Sequence, residues 1–145
     1  MPPKIRRLNF LFAAALLLLP ALVACNERNF NSVRETRVSL KSFDIIVSPN
    51  PVGAGNIIFH IKNESIDAVH EFHIVRASLP HDELPTLPDG NVDESKLDKL
   101  TDMAVIQPGQ SGDLVVYLEA GRYVLMCNVP SHYKLGMHAE LTVTP

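Results

Sequence analysis

The feature that most constrains this chain is its punctuation. Short runs of β-forming residues are cut off by proline and glycine before any of them is long enough for a globular helix. Val38, Leu40, Ile45 and Val47 alternate in part, and the run closes at Ser48-Pro49-Asn50-Pro51, followed by Gly53 and Gly55. Residues 56–63 put Ile57, Phe59 and Ile61 on one face and Ile58, His60 and Lys62 on the other, as a strand with one buried side does. Further β-type runs occupy 69–77, 104–106, 113–118, 123–127 and 138–143, with Pro108-Gly109 and Gly121 as turns. No βαβ rhythm competes. Such a series predicts an all-β domain, a two-sheet Greek-key β-sandwich of about seven or eight strands. One long insertion interrupts it at 78–102, where Pro80, Pro85 and Pro88 forbid a regular element and Asp89-Gly90 makes a turn. Residues 93–100 are expected to form two helical turns, and the insertion to pack across an open edge or one end of the sandwich.

The first residues read as an address. Lys4, Arg6 and Arg7 precede an apolar run over 8–24 that contains Asn9 and Pro20, the order of a secretory signal and at the lower limit for a membrane span. The run ends Leu22-Val23-Ala24-Cys25, which resembles the lipobox of bacterial lipoproteins. That resemblance implies cleavage after Ala24 and acylation of Cys25; an uncleaved anchor helix is the alternative and leaves the domain on the same side of the membrane. Residues 25–34 are then a polar tether and 35–145 the folded domain, outside the cytoplasm in either case. Removing the three leader cations leaves 10 Lys and Arg against 16 Asp and Glu, a mature charge of −6. An acidic domain with no basic run lacks the footprint that phosphate backbones demand, so nucleic acid is excluded as a partner. The 46% hydrophobic content argues against disorder.

Chemistry concentrates near the C-terminus. Cys127, His132 and Met137 lie on one loop, with four residues between Cys and His and four between His and Met. A thiolate, an imidazole and a weak thioether are three of the donors of a trigonal His₂Cys copper site with a long axial Met. The second imidazole has to come from another strand, and Val69-His70-Glu71-Phe72-His73 offers two. His70 shares a strand face with Phe72 and Ile74, His73 with Glu71 and Val75. His60, His81 and His138 read as surface or strand-face residues, the last because it follows Met137 and points the opposite way. Met103 and Met126 read as core. The charges over 93–102 read as a solvated helix face, since they lack the spacing of a calcium loop.

Taken together, Asn63…His70-Glu71-Phe72…Pro108-Gly109…Gly121-Arg122-Tyr123…Cys127-Asn128…His132…Gly136-Met137 closely resembles the cupredoxins, the small blue copper proteins, and among them sulfocyanin-like and plastocyanin/azurin-like bacterial forms. The resemblance runs from about Val38 to Val143. It implies one type 1 copper ion held by His70, Cys127, His132 and Met137. It also implies that the Glu71 backbone N–H points at the Cys127 sulfur, and that the Glu71 side chain meets Asn128 to tie the two ligand segments together. Val129, Pro130, Tyr133 and Leu135 are expected to form an apolar rim around His132, where redox partners such as a cytochrome or an oxidase dock. Three strong donors and a covering Met leave no open position for a substrate, so the expected role is a monomeric one-electron carrier and not an enzyme. A copper-handling metallochaperone on the same fold is the alternative.

Overall fold

The computed structural model describes residues 34–145, so the leader, Cys25 and nearly all of the tether lie outside the described residues. Nine strands form two sheets among them: β1 (Arg34–Lys41), β2 (Asp44–Ser48), β3 (Val52–Gly53), β4 (Gly55–Asn63), β5 (His70–Arg76), β6 (Lys99–Ile106), β7 (Ser111–Leu118), β8 (Gly121–Met126) and β9 (His138–Thr144). The first sheet has the order β2-β1-β4-β7, the second β3-β9-β8-β5-β6. This is the expected all-β sandwich, with two additions. The run over 38–47 is a hairpin, turning at Ser42-Phe43 so that Leu40 pairs with Ile45 and Val38 with Val47. All four face the same way, which is why the apolar positions switch from even to odd numbers. The second addition is the two-residue β3, parallel to β9.

Apolar side chains of both sheets interdigitate between them. Ile57, Phe59 and Ile61 of β4 meet Phe72 and Ile74 of β5, Leu125 of β8 and Leu141 of β9 in one buried cluster. The Phe59 and Phe72 rings touch across the two layers at 5.9 Å between centroids. Tyr123 is buried as well, and its hydroxyl donates to the Glu119 carbonyl at 2.8 Å, fastening the turn that leads into β8. In the first sheet, β1 and β7 alternate between covered and exposed residues, as a wet outer face requires.

The insertion differs from expectation in form and in place. Its helix is a single 3₁₀ turn, Glu94–Lys96, capped by Asp93. Lys99 and Leu100 instead extend β6 along β5. A sheet edge with unpaired backbone groups satisfies those peptides in a ladder, and a short isolated helix has no comparable return. Only the last residues of the insertion line a sheet edge, that of β5, and the rest of it covers a face. Leu84 and Val92 pack with Val75, Val124, Met126 and Tyr133 in a second cluster on the outer face of β5 and β8. These two strands are therefore covered on both sides, and their burial runs nearly unbroken.

Candidate metal centre

Two strand ends and one loop build the site. His70 opens β5, Cys127 follows the last residue of β8, and the chain from there to β9 carries His132 and Met137. That loop is laced to itself: Cys127 N–H donates to the Met137 carbonyl at 3.1 Å, and Met137 N–H to the His132 carbonyl at 3.1 Å. Ser131, just before His132, takes a left-handed φ of 70°, and Gly136, just before Met137, a φ of 105° that a side chain would resist. Both bends turn the next residue inward.

The donors converge. His70, Cys127 and His132 place their ligand atoms within 4.8 Å of one another. The two imidazole Nδ1 atoms are 3.2 Å apart, and Cys127 Sγ lies 3.4 Å from His132 Nδ1 and 3.9 Å from His70 Nδ1. Cys127, His70 and Met137 are fully buried, and Met137 belongs to the main core cluster together with Cys127. His73 is not part of this group. It pairs across the sheet with Met126, on the insertion side of β5, and its Nε2 meets Glu71 Oε2 at 3.0 Å. Of the two upstream histidines, the fold brings His70 to Cys127.

Electrostatics suit a soft cation. Burial, with the neighbouring His132, lowers the His70 pKa to about 4, so at neutral pH its ring offers a lone pair. Its other nitrogen, Nε2, is 2.7 Å from Ser65 Oγ, which fixes the ring's direction. Burial likewise pushes His132 down and the Cys127 thiol up. Backbone N–H groups of Glu71, at 3.3 Å, and Val129 point at the sulfur and oppose that rise. A buried thiol, two neutral imidazoles and a nearby thioether are nitrogen and sulfur donors with no carboxylate among them. That set fits copper and is foreign to magnesium or calcium.

Ser65 is held in turn by Asn63, a participant that sequence reasoning did not assign. The Asn63 side chain is buried; it accepts from Ser65 N–H at 2.9 Å and donates to the carbonyls of Ala68 and Ile106, each at 2.8 Å. A polar residue at the buried end of a strand, two residues before a serine, is the signal that could have found it.

Two expectations need correction. The Glu71 and Asn128 side chains do not meet: Glu71 turns to His73, while Asn128 accepts from Val92 N–H at 2.8 Å and donates to Glu94 Oε1 at 2.8 Å. The insertion brings unpaired backbone beside Asn128, and a buried peptide group is the more demanding partner. Tyr133 is not on the rim either. Its ring lies under the insertion and its hydroxyl donates to the His81 carbonyl at 2.9 Å and accepts from Leu84 N–H at 2.9 Å. Phe43, from the β1–β2 turn, takes a place near the rim instead, edge-on to His132 at 5.5 Å. Leu135 and Phe43 are exposed.

Comparison with known proteins agrees with this geometry. Residues 48–144 match the plastocyanin/azurin family of copper binding proteins. Auracyanin A of Chloroflexus aurantiacus, described as a "blue" copper protein, superimposes with a TM-score of 0.59 at 20% identity, covering 78% of this chain and 100% of that one. Auracyanin from Roseiflexus castenholzii gives 0.54 at 22% identity over 78% and 97% of the two chains. Rusticyanin from Thiobacillus ferrooxidans gives 0.56 at 13% identity over 77% of each. The copper-resistant cuproprotein CopI of Pseudomonas aeruginosa is 40% identical over 42 residues, a stretch that spans 28% of this chain and 23% of that protein.

Proposed function

Since this chain belongs to the plastocyanin/azurin family of copper-binding proteins, we propose that it is a type 1 copper protein that carries single electrons between membrane-associated partners outside the cytoplasm. Copper, when bound, supplies a one-electron couple between Cu(I) and Cu(II). His70, Cys127, His132 and Met137 are the residues that would hold it. The observation that carries the reading is that three nitrogen and sulfur donors stand within 4.8 Å of one another.

Each support has a task. Ser65 holds the His70 ring, and the Glu71 and Val129 N–H groups hold the sulfur by hydrogen bonds that favour its anionic form. The laced Cys127–Met137 loop resists spreading, so the donors keep their places when the charge changes. The exposed side chains of Leu135, Phe43 and Pro130 surround His132 with the kind of small apolar patch that suits brief encounters, and that is where a redox partner docks. Acylation of Cys25 would tether the domain to the membrane. No helix among the described residues is long and apolar enough to cross one.

The short match to CopI favours a second reading, a copper-handling protein on the same fold. It requires ligands that exchange. Absorption and electron spin resonance spectra of the copper-loaded protein separate the two. A carrier shows an intense sulfur-to-copper band, a reversible potential and slow copper loss; a handling protein releases copper readily to a chelator. Cys127→Ser abolishes the band, and His70→Ala bleaches it while His73→Ala spares it. The opposite result for the two histidines removes His70 from the ligand set.

A further inference from the structure

A second pair of imidazoles lies outside that site. His81, from the insertion, and His138, the first residue of β9, face each other with their Nδ1 atoms 2.7 Å apart and ring centroids 4.9 Å apart. They are 57 residues apart in the chain and both are half-buried. One buried side chain serves both: the Tyr133 ring lies 4.8 Å from His138, and its hydroxyl donates to the His81 carbonyl at 2.9 Å. Asp82, next in the chain and exposed, is near enough for its charge to act on His138. From these contacts we propose that His81 and His138 form a second metal site, which takes Cu(II), with Asp82 and water completing the coordination.

The separation of the nitrogens selects the ion. At metal–nitrogen bonds of about 2.0 Å, nitrogens 2.7 Å apart subtend about 85° at the metal. That is close to the cis angle of a tetragonal ion. A tetrahedral ion needs about 3.3 Å between them, and a linear two-coordinate Cu(I) about 4 Å. Tetragonal sites of nitrogen and oxygen suit Cu(II) and Ni(II), and Cu(II) binds more tightly. Copper held here keeps open positions on the exposed side and exchanges with solution, beside the loop that carries the other donors. The proposal does not rest on the reading of the first site, because the two ions give separable signals.

The test is a titration of the full-length protein, already loaded with one copper equivalent, with further Cu(II). Calorimetry counts the ions and electron spin resonance identifies them. The expected result is a second equivalent with an axial spectrum, wide copper hyperfine splitting and no sulfur band, with two imidazole nitrogens coupled to it in pulsed measurements. His81→Asn and His138→Asn each lose that equivalent or weaken it by at least tenfold, while the colour of the first ion is unchanged. The proposal fails if the wild-type protein binds no second ion, or if both variants keep it. Should either variant not fold, the nitrogen count on the wild-type signal decides, and fewer than two imidazoles overturns the assignment.

Discussion

Replacing Asn63 by Leu, which is similar in size, removes three hydrogen bonds, two buried and one partly buried, without opening a cavity. The bonds are 2.8, 2.8 and 2.9 Å long, and their loss strands the carbonyls of Ala68 and Ile106 and the N–H of Ser65. Each bond contributes about 1 kcal/mol net, and a buried group left without a partner costs about 1–3 kcal/mol more. Ala68 and Ser65 lie on a turn that relaxes towards water, whereas Ile106 lies in a strand and does not. The expected loss is therefore about 4–6 kcal/mol, a large share of the roughly 5–15 kcal/mol that holds a domain together. Urea unfolding of the metal-free protein measures it. With a slope of about 2 kcal/mol per molar urea, the middle of the usual range, the midpoint falls by about 2–3 M. Ser65→Ala, which removes the hydroxyl against His70 and leaves the buried Nε2 without that partner, costs about 2–4 kcal/mol on the same scale. A midpoint shift for Asn63→Leu no larger than that for Ser65→Ala would refute the view that Asn63 organises the turn before His70.

Other outcomes follow from the same contacts. Tyr133→Phe deletes the hydroxyl shared by His81 and Leu84 and is expected to cost about 1–3 kcal/mol by thermal or urea unfolding. Phe72→Ala, at the contact between the two sheets, is expected to cost about 3–5 kcal/mol in the same assay. Leu135→Glu should slow electron exchange with a physiological partner in stopped-flow experiments and leave the absorption spectrum of the copper form unchanged; an unaltered rate would place docking elsewhere. The hydrogen bond that His60 Nδ1 donates to Asp113, 2.8 Å long, raises the His60 pKa above its ordinary 6.5, with Glu35 adding to the effect. Its stabilisation is thus complete below the unfolded pKa and lost as pH rises through the folded one, and an NMR titration of Asp113→Asn should show the His60 value falling back.

Much of the fold was legible because period and punctuation are local. Ile57, Phe59 and Ile61 alternate in the letters and sit side by side in the core. The spacing of Cys127, His132 and Met137 was legible for the same reason, since one loop carries all three. His70 and His73 could be separated only by face, and the second face was hidden because nothing in the sequence said that the insertion covers it. The contiguous apolar run Tyr123-Val124-Leu125-Met126-Cys127 was the missed signal, for a strand buried on both sides has no alternation to show. The partners of Glu71, Asn128 and Tyr133 depend on where residues 78–98 lie, and prolines fix only what that stretch cannot form. The pairing of His81 with His138 arises in the same way, across 57 residues, and no spacing rule reaches that far.

The insertion gives the molecule two unequal halves. Where it lies over β5 and β8, amide protons have a layer of side chains between them and solvent on either side, while those of β1 and β7 have such a layer on one side alone. Deuterium should enter β7, an outermost strand, long before it reaches the peptides beside His70 and Cys127. Mild heat or a protease would then wear away the bare half first, leaving the donors' own neighbourhood as the last part of the protein to come apart.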